Sequence, residues 1–400
     1  MGQKSTTLTE NAQQPSLSEF LRLCATSDLS QAPRASTWGL QLLEAGTFQE
    51  RWRLTKVFPK LGEAAILPLL AIAEDNTADV ELRWFAIRIL GQYRNPEAIA
   101  RLILLLDRCP EEYLLNEIVD TLVQLEAQAV DYLAPLLGKS ETCSLAVQAL
   151  CKLRYPQIVE PLLTVVDIEE SSLRCLMIET LSQFRQPSIL PVLLAALKDP
   201  VAQVRCEAAK GLGFWGQTVD PEFLCRQVQP LLYDINLAVC EQAGFTLSRF
   251  ATPQAAEAIA QVLASPHTPE ALQISLIQAL GWLELPESIT YLESFLYHES
   301  TTIVTATLKA LGRFTQSDCR HRSTLILLKF WEMIPHPQPL PLQQTFIYAL
   351  GQLADPRATE ILNTLSQSLE KTIHLHAIAA LKKISAPETP TSADFCKSIG

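Results

Sequence analysis

Apolar residues recur along most of the chain at intervals of three and four, broken by short polar turns. Val204, Ala208 and Leu212 form one such set, and Leu272, Leu276 and Leu280 form another. This spacing puts one apolar stripe on an amphipathic helix. The sets close on a small-Leu-small motif, as in Ile89-Leu90-Gly91, Gly211-Leu212-Gly213, Ala279-Leu280-Gly281, Ala310-Leu311-Gly312 and Ala349-Leu350-Gly351. The anchor leucines are Leu61, Leu90, Leu122, Leu150, Leu181, Leu212, Leu247, Leu280, Leu311, Leu350 and Leu381, 28 to 39 residues apart.

Three residues after the anchor the chain is nearly always large and apolar, as at Tyr93, Phe184, Trp215, Phe250 and Leu353. Six residues after it, proline recurs: Pro96, Pro156, Pro187, Pro253, Pro286 and Pro356. Proline suits the first turn of a helix, where its missing N–H has no partner to lose. Each unit therefore predicts a first helix ending near the anchor, a turn, and a second helix opened by proline. Asp107, Asp167, Asp199 and Asp234 close several units and are placed to cap the next helix. No run alternates apolar and polar between hairpin turns, so no strand competes.

A helix pair cannot bury its apolar stripe alone, and stacked pairs share one continuous core. The expected fold is all-α, an α-solenoid wound as a right-handed superhelix of about eleven helix pairs. Residues 1–16 are expected to be a disordered N-terminus, 17–47 a helical cap, 48–384 the solenoid and 385–400 a disordered tail. Two spacings are long. One holds a Pro-rich joint at residues 335–341, the other a loop at residues 216–221.

Charge and composition narrow the function. Hydrophobic residues make up 48% of the 400 and charged residues 19%. The 32 basic against 43 acidic residues leave a net charge of -11, which argues against a nucleic-acid partner. Ten scattered cysteines without a C-x-x-C pair read as reduced thiols in a cytoplasmic protein. The polar start of the chain shows no secretory apolar segment. The longest uncharged run, Pro335 to Ala354, holds four prolines, so no membrane insertion is expected. Met1-Gly2-Gln3-Lys4-Ser5-Thr6 fits a myristoylation pattern, against the plainer reading of a solvated terminus.

The period and the A-L-G-x-[aromatic/Leu]…P pattern resemble HEAT repeats, and more narrowly the phycobilisome-lyase HEAT-like repeats. Residues Trp84 to Ile103 and Val201 to Gly213 carry the likeness best, and it extends from Phe48 to Ile384. The resemblance implies HEAT-like helix pairs. It is shared by bilin lyases, phycobilisome-degradation factors, deoxyhypusine hydroxylase and scaffolds, so function has to come from a site.

Catalytic constellations are wanting. A di-iron centre of the hydroxylase kind needs several His-Glu pairs, and the chain has one, His298-Glu299. Gly211-Leu212-Gly213-Phe214-Trp215-Gly216 matches G-x-G-x-x-G, but a repeat helix precedes it where a nucleotide site needs a strand. His374 and His376 point to different sides of a helix. No metal, cofactor or catalytic residue is expected.

Arginines recur in two registers. Arg94, Arg154 and Arg185 lie four after their anchors, and Arg83, Arg174 and Arg205 lie seven before. Two roles fit such rows. They hold carboxylates of an acidic partner or, as the resemblance implies, bilin propionates; or they cap helix C-termini and pair with neighbouring repeats. Trp84, Tyr155, Trp282 and Trp331 are candidate partner anchors, whereas Trp215 occupies a core register. The sequence favours a non-catalytic scaffold for protein–protein interaction or complex assembly, with the second helices lining the binding face. The alternative, implied by the resemblance, is a bilin lyase or chaperone with a phycobiliprotein partner.

Overall fold

The computed structural model describes residues 16–25, 32–106 and 108–385. Asp107, Cys396, the myristoylation pattern and the expected tails, save Ser16 and Ser385, lie outside them. Among the described residues the chain is all-helical with no strand, an α-solenoid as the sequence predicts. It divides into two compact units, one ending at Thr180 and one beginning at Leu181.

The first unit comprises α1 (Leu17–Ala25), α2 (Ala32–Ala45), α3 (Phe48–Thr55), α4 (Ile66–Glu74), α5 (Val80–Tyr93), α6 (Pro96–Leu106), α7 (Glu112–Val123), α8 (Ala129–Leu133), α9 (Ser140–Lys152) and α10 (Val159–Leu163). It ends within α11 (Ser171–Leu181). The second comprises α12 (Ile189–Ala196), α13 (Ala202–Leu212), α14 (Pro221–Val228), α15 (Leu237–Phe250), α16 (Pro253–Leu263), α17 (Glu270–Leu283), α18 (Pro286–Ser294), α19 (Thr301–Leu311), α20 (Ser317–Met333), α21 (Leu340–Leu353), α22 (Thr359–Ser366) and α23 (Lys371–Ser385).

Within each unit the first helices stack directly on one another. α5 packs on α7 and α7 on α9; α13, α15, α17, α19, α21 and α23 follow in the same way. The anchor leucines from Leu61 to Leu350 are buried, and Leu381 of the last pair is half-buried. Trp215 is buried too, in the core register its position predicts.

Proline opens the second helix directly at Pro96, Pro253 and Pro286. Pro156 and Pro356 open short 3-10 turns that lead into α10 and α22. The second helix after Leu122 is broken: a 3-10 turn, α8, and a 3-10 stretch containing Pro135. An interior proline removes a backbone donor and crowds the preceding turn, which limits α-helix here. Several first helices end on a left-handed residue four after the anchor, namely Arg94, Ala251, Glu284 and Ala354. That register is thus a C-terminal backbone cap in these units.

The acidic closers act one step earlier than expected. Asp199 accepts from the Val201 N–H and Asp234 from the Asn236 N–H, while Val201 and Asn236 themselves occupy the N-cap positions. Two residues ahead of the N-cap, a carboxylate reaches the N-cap residue's own N–H rather than the donors of the first turn.

Candidate functional site

The register seven before the anchor is a clamp inside the solenoid. Arg83 is fully buried on α5. Its Nε donates to the Ala73 carbonyl at 3.1 Å, and its Nη atoms reach Glu111 and Asn76, each at 3.1 Å. Arg205 on α13 holds both oxygens of Asp234 at 2.8 and 2.7 Å and donates to the Asp199 and Pro200 carbonyls. Arg174 donates to the Ile168 and Glu169 carbonyls at 2.8 and 2.7 Å. Arg51 on α3 does the same work. It bonds the Leu43 and Glu44 carbonyls and the carboxylates of Asp79 and Glu81. Each guanidinium fastens carbonyls of the preceding turn, and three of them reach a carboxylate 28 to 30 residues ahead. Arg83 and Arg205 therefore present no open cationic row, and the second of the two sequence roles describes them.

The register four after the anchor is more open. Arg94 and Arg154 are exposed and Tyr155 is half-buried. Arg185 folds back onto the Ser182 and Phe184 carbonyls at 2.7 and 2.8 Å. Its guanidinium also lies 5.0 Å from the Phe214 ring centre.

In the first unit, aromatic rings line up across α3, α5 and α7. Phe48 stacks on Trp52 at 6.2 Å, Trp52 on Trp84 at 6.4 Å, and Trp84 on Tyr113 at 5.9 Å, with interplanar angles of 17°, 16° and 22°. Trp84 is only 8% exposed, and its flanking rings carry the surface: Phe48 at 53%, Trp52 at 39% and Tyr113 at 57%. The guanidinium of Arg88 sits 4.8 Å from Trp52 and 5.0 Å from Trp84. Below it, Arg88 bonds the buried Glu117 at 3.1 Å. Burial pushes the Glu117 carboxyl up to about 7 against the pull of Arg88. An open pocket beside the stack is lined by Phe48, Gln49, Trp52 and Arg53. Offset-stacked rings lose little entropy on binding, and exposed aromatic clusters are the usual energetic centres of interfaces.

In the second unit the register two after the anchor alternates. It reads Phe214, Arg249, Trp282 and Arg313 on successive repeats. Arg249 lies 4.3 Å from the Phe214 ring, and Arg313 5.5 Å from that of Trp282. Phe245 packs against Trp282 at 5.1 Å. Trp282, a sequence candidate, is thus a member of an exposed ridge. Trp331 is not: it is buried, stacked on Phe346 at 4.2 Å. Both surfaces lie on the first helices and the turns that end them, whereas the sequence points to the second helices for a binding face.

Among the described residues no three His, Cys, Asp or Glu side chains cluster as a metal site. Burial raises the thiols of Cys109, Cys225, Cys240 and Cys319, and lifts Cys151 to about 11. His298 and Glu299 are exposed, and the His298 Nδ1 accepts from the Ser300 N–H. The G-x-G-x-x-G run begins inside α13, so its glycines serve repeat packing. Among the described residues no helix is long and apolar enough to cross a membrane.

Comparison with known proteins agrees with this architecture. The family described as HEAT repeats matches residues 141–213 and 159–229, and the PBS lyase HEAT-like repeat matches residues 82–108. The chain carries HEAT repeats, and among them one of the PBS lyase HEAT-like kind. Kap121p bound to Pho4p is similar over 92% of this chain and 48% of its own, with 14% identity and a TM-score of 0.63. A Kap121p mutant is similar over 92% and 46%, at 11% identity and a TM-score of 0.56. This chain spans about half the length of those two, and the likeness is one of fold. Human deoxyhypusine hydroxylase matches 65% of the chain and 98% of its own at 17% identity, but its TM-score of 0.29 is too low to carry an argument. No curated protein matches the chain in sequence.

Proposed function

We propose that the protein is a non-catalytic HEAT-repeat scaffold that holds protein partners on the exposed face of its first helices. The observation that carries this reading is the stack of Phe48, Trp52 and Tyr113, three large rings left facing solvent over the Arg88–Glu117 pair. Rings held by packing are pre-organised for burial against another surface. Kap121p, a chain of the same fold, is bound to Pho4p in one solved structure. The bilin lyase alternative rests on the repeat at residues 82–108. Two of its candidate propionate ligands, Arg83 and Arg205, are already engaged with carboxylates of this chain.

Affinity capture from the source organism with wild type and with Trp52→Ala/Tyr113→Ala tests the reading. A defined protein retained by wild type, lost by the variant and free of visible bilin absorbance is the expected result. Capture that is the same for both, or a coloured eluate, overturns it.

A further inference from the structure

The second unit carries a cationic ridge that the stack in the first unit does not explain. The chain is acidic overall, at -11, yet Arg249, Arg313 and Lys383 are all exposed. Among the described residues none of the three is paired with a carboxylate. Each rests over a ring instead: Arg249 over Phe214 at 4.3 Å, Arg313 over Trp282 at 5.5 Å and Lys383 over Tyr348 at 5.6 Å. A cation resting on a ring keeps its outer N–H donors free for an incoming acceptor. All three cations stand two after their anchors: Arg249 on α15, Arg313 in the turn just past α19, and Lys383 on α23.

We propose that this ridge binds an extended acidic segment of a protein partner, with its carboxylates on Arg249, Arg313 and Lys383 and an apolar side chain against Trp282. The proposal rests on the scaffold reading and specifies the chemistry of one partner surface. Register supports it. Stacked helices lie ~10 Å apart and an extended chain advances ~3.3 Å per residue, so one repeat matches about three ligand residues. Arg249 and Arg313 are two repeats apart, as are Arg313 and Lys383. The ligand therefore places acids about six residues apart, with an apolar residue midway, over Trp282, between the first two.

The test uses a fluorescein-labelled peptide of three copies of the hexamer Glu-Ser-Ser-Leu-Ser-Ser, followed by anisotropy against the full chain. The expected result is saturable binding at low salt, at least tenfold weaker with Arg249→Gln/Arg313→Gln and tenfold weaker with Trp282→Ala. A peptide with glutamine replacing glutamate fails to bind, and 0.5 M salt abolishes binding, since exposed pairs are screened. Circular dichroism confirms that the variants fold. No binding of the peptide, binding indifferent to the Arg249→Gln/Arg313→Gln change, or equal competition by oligo-dT overturns the proposal. The scaffold reading survives each of these results if partner capture still depends on Trp52 and Tyr113.

Discussion

A Cβ built on Gly312 would stand 2.8 Å from the Cα of Ala349 and 2.9 Å from its Cβ. The small residue after one anchor leucine lies directly on the small residue before the next. The same contact joins Gly281 to Ala310 and Gly351 to Ala380. This is the physical content of the small-Leu-small motif: two first helices approach until only hydrogen and methyl separate their backbones. Gly312 has an ordinary φ of -70°, so glycine is there for room rather than for backbone freedom.

Gly312→Ala sets two effects against each other. Alanine favours the helix by up to ~1 kcal/mol. Overpacking against a backbone atom that cannot swing aside costs about 1–3 kcal/mol. The expected outcome in urea denaturation is a net loss of about 1–2 kcal/mol. Gly138→Ala is the control, because nothing lies within 4 Å of that Cβ, and it should hold or gain stability.

Ala354 gives the opposite sign. It ends α21 with φ at 48°, where a Cβ is disfavoured by about 1–2 kcal/mol. Glycine removes that strain and gives back about 0.5–1 kcal/mol as unfolded-chain entropy. Ala354→Gly should therefore raise stability by roughly 0.5 kcal/mol, while Ala349→Gly, a few residues earlier in the same helix, lowers it by about 1 kcal/mol. Equal effects at the two sites would contradict the assigned cap.

How much of this was legible follows from what each feature depends on. Helix phase, the anchor leucines and the burial of Trp215 depend on local periodicity, which a sequence displays. Arg83 and Arg205 were visible as a row, but a row does not show which way a guanidinium folds. Only the packed structure brings Glu111 and Asp234 to them. Trp52 and Tyr113 share a register, nine before Leu61 and Leu122, but Trp84, which stacks between them, lies six before Leu90, and Phe48 has no counterpart. The first pair departs from the period, so the stack across α3 and α5 has no signature in spacing. The alternation of Phe214, Arg249, Trp282 and Arg313 was present, two after each anchor, in a register where arginine alone does not repeat.

Arg205 tests the clamp. Its loss strands a half-buried carboxylate and two carbonyls, and losing hydrogen bonds to a charged group costs about 1.5–3 kcal/mol. Arg205→Ala should lose that much, and Arg205→Lys should lose less but not recover, because lysine cannot fork. Burial alone would raise the Asp234 carboxyl. The Arg205 bonds and the Asn236 N–H outweigh it and hold the carboxyl below its ordinary value. A depressed folded pKa contributes stability above the unfolded value, 3.8, and that stability is lost as pH falls through the folded pKa. The gap between wild type and Arg205→Ala should therefore narrow in strong acid.

Glu117 titrates in the other direction. Burial lifts its carboxyl from 4.5 to about 7, against the pull of Arg88. Between those values the folded state holds a proton that the unfolded state has released. Stability from this group is then complete below 4.5 and drains away as pH rises towards 7. Glu117→Gln removes the titration and keeps an acceptor for Arg88. The stability difference should move in favour of the glutamine variant by about 2 kcal/mol from pH 5 to pH 8. Urea denaturation of both proteins at the two pH values reads this directly. A difference independent of pH would mean that Arg88 holds Glu117 ionised throughout. The Trp52–Trp84 stack would then rest on a full ion pair at every pH tested.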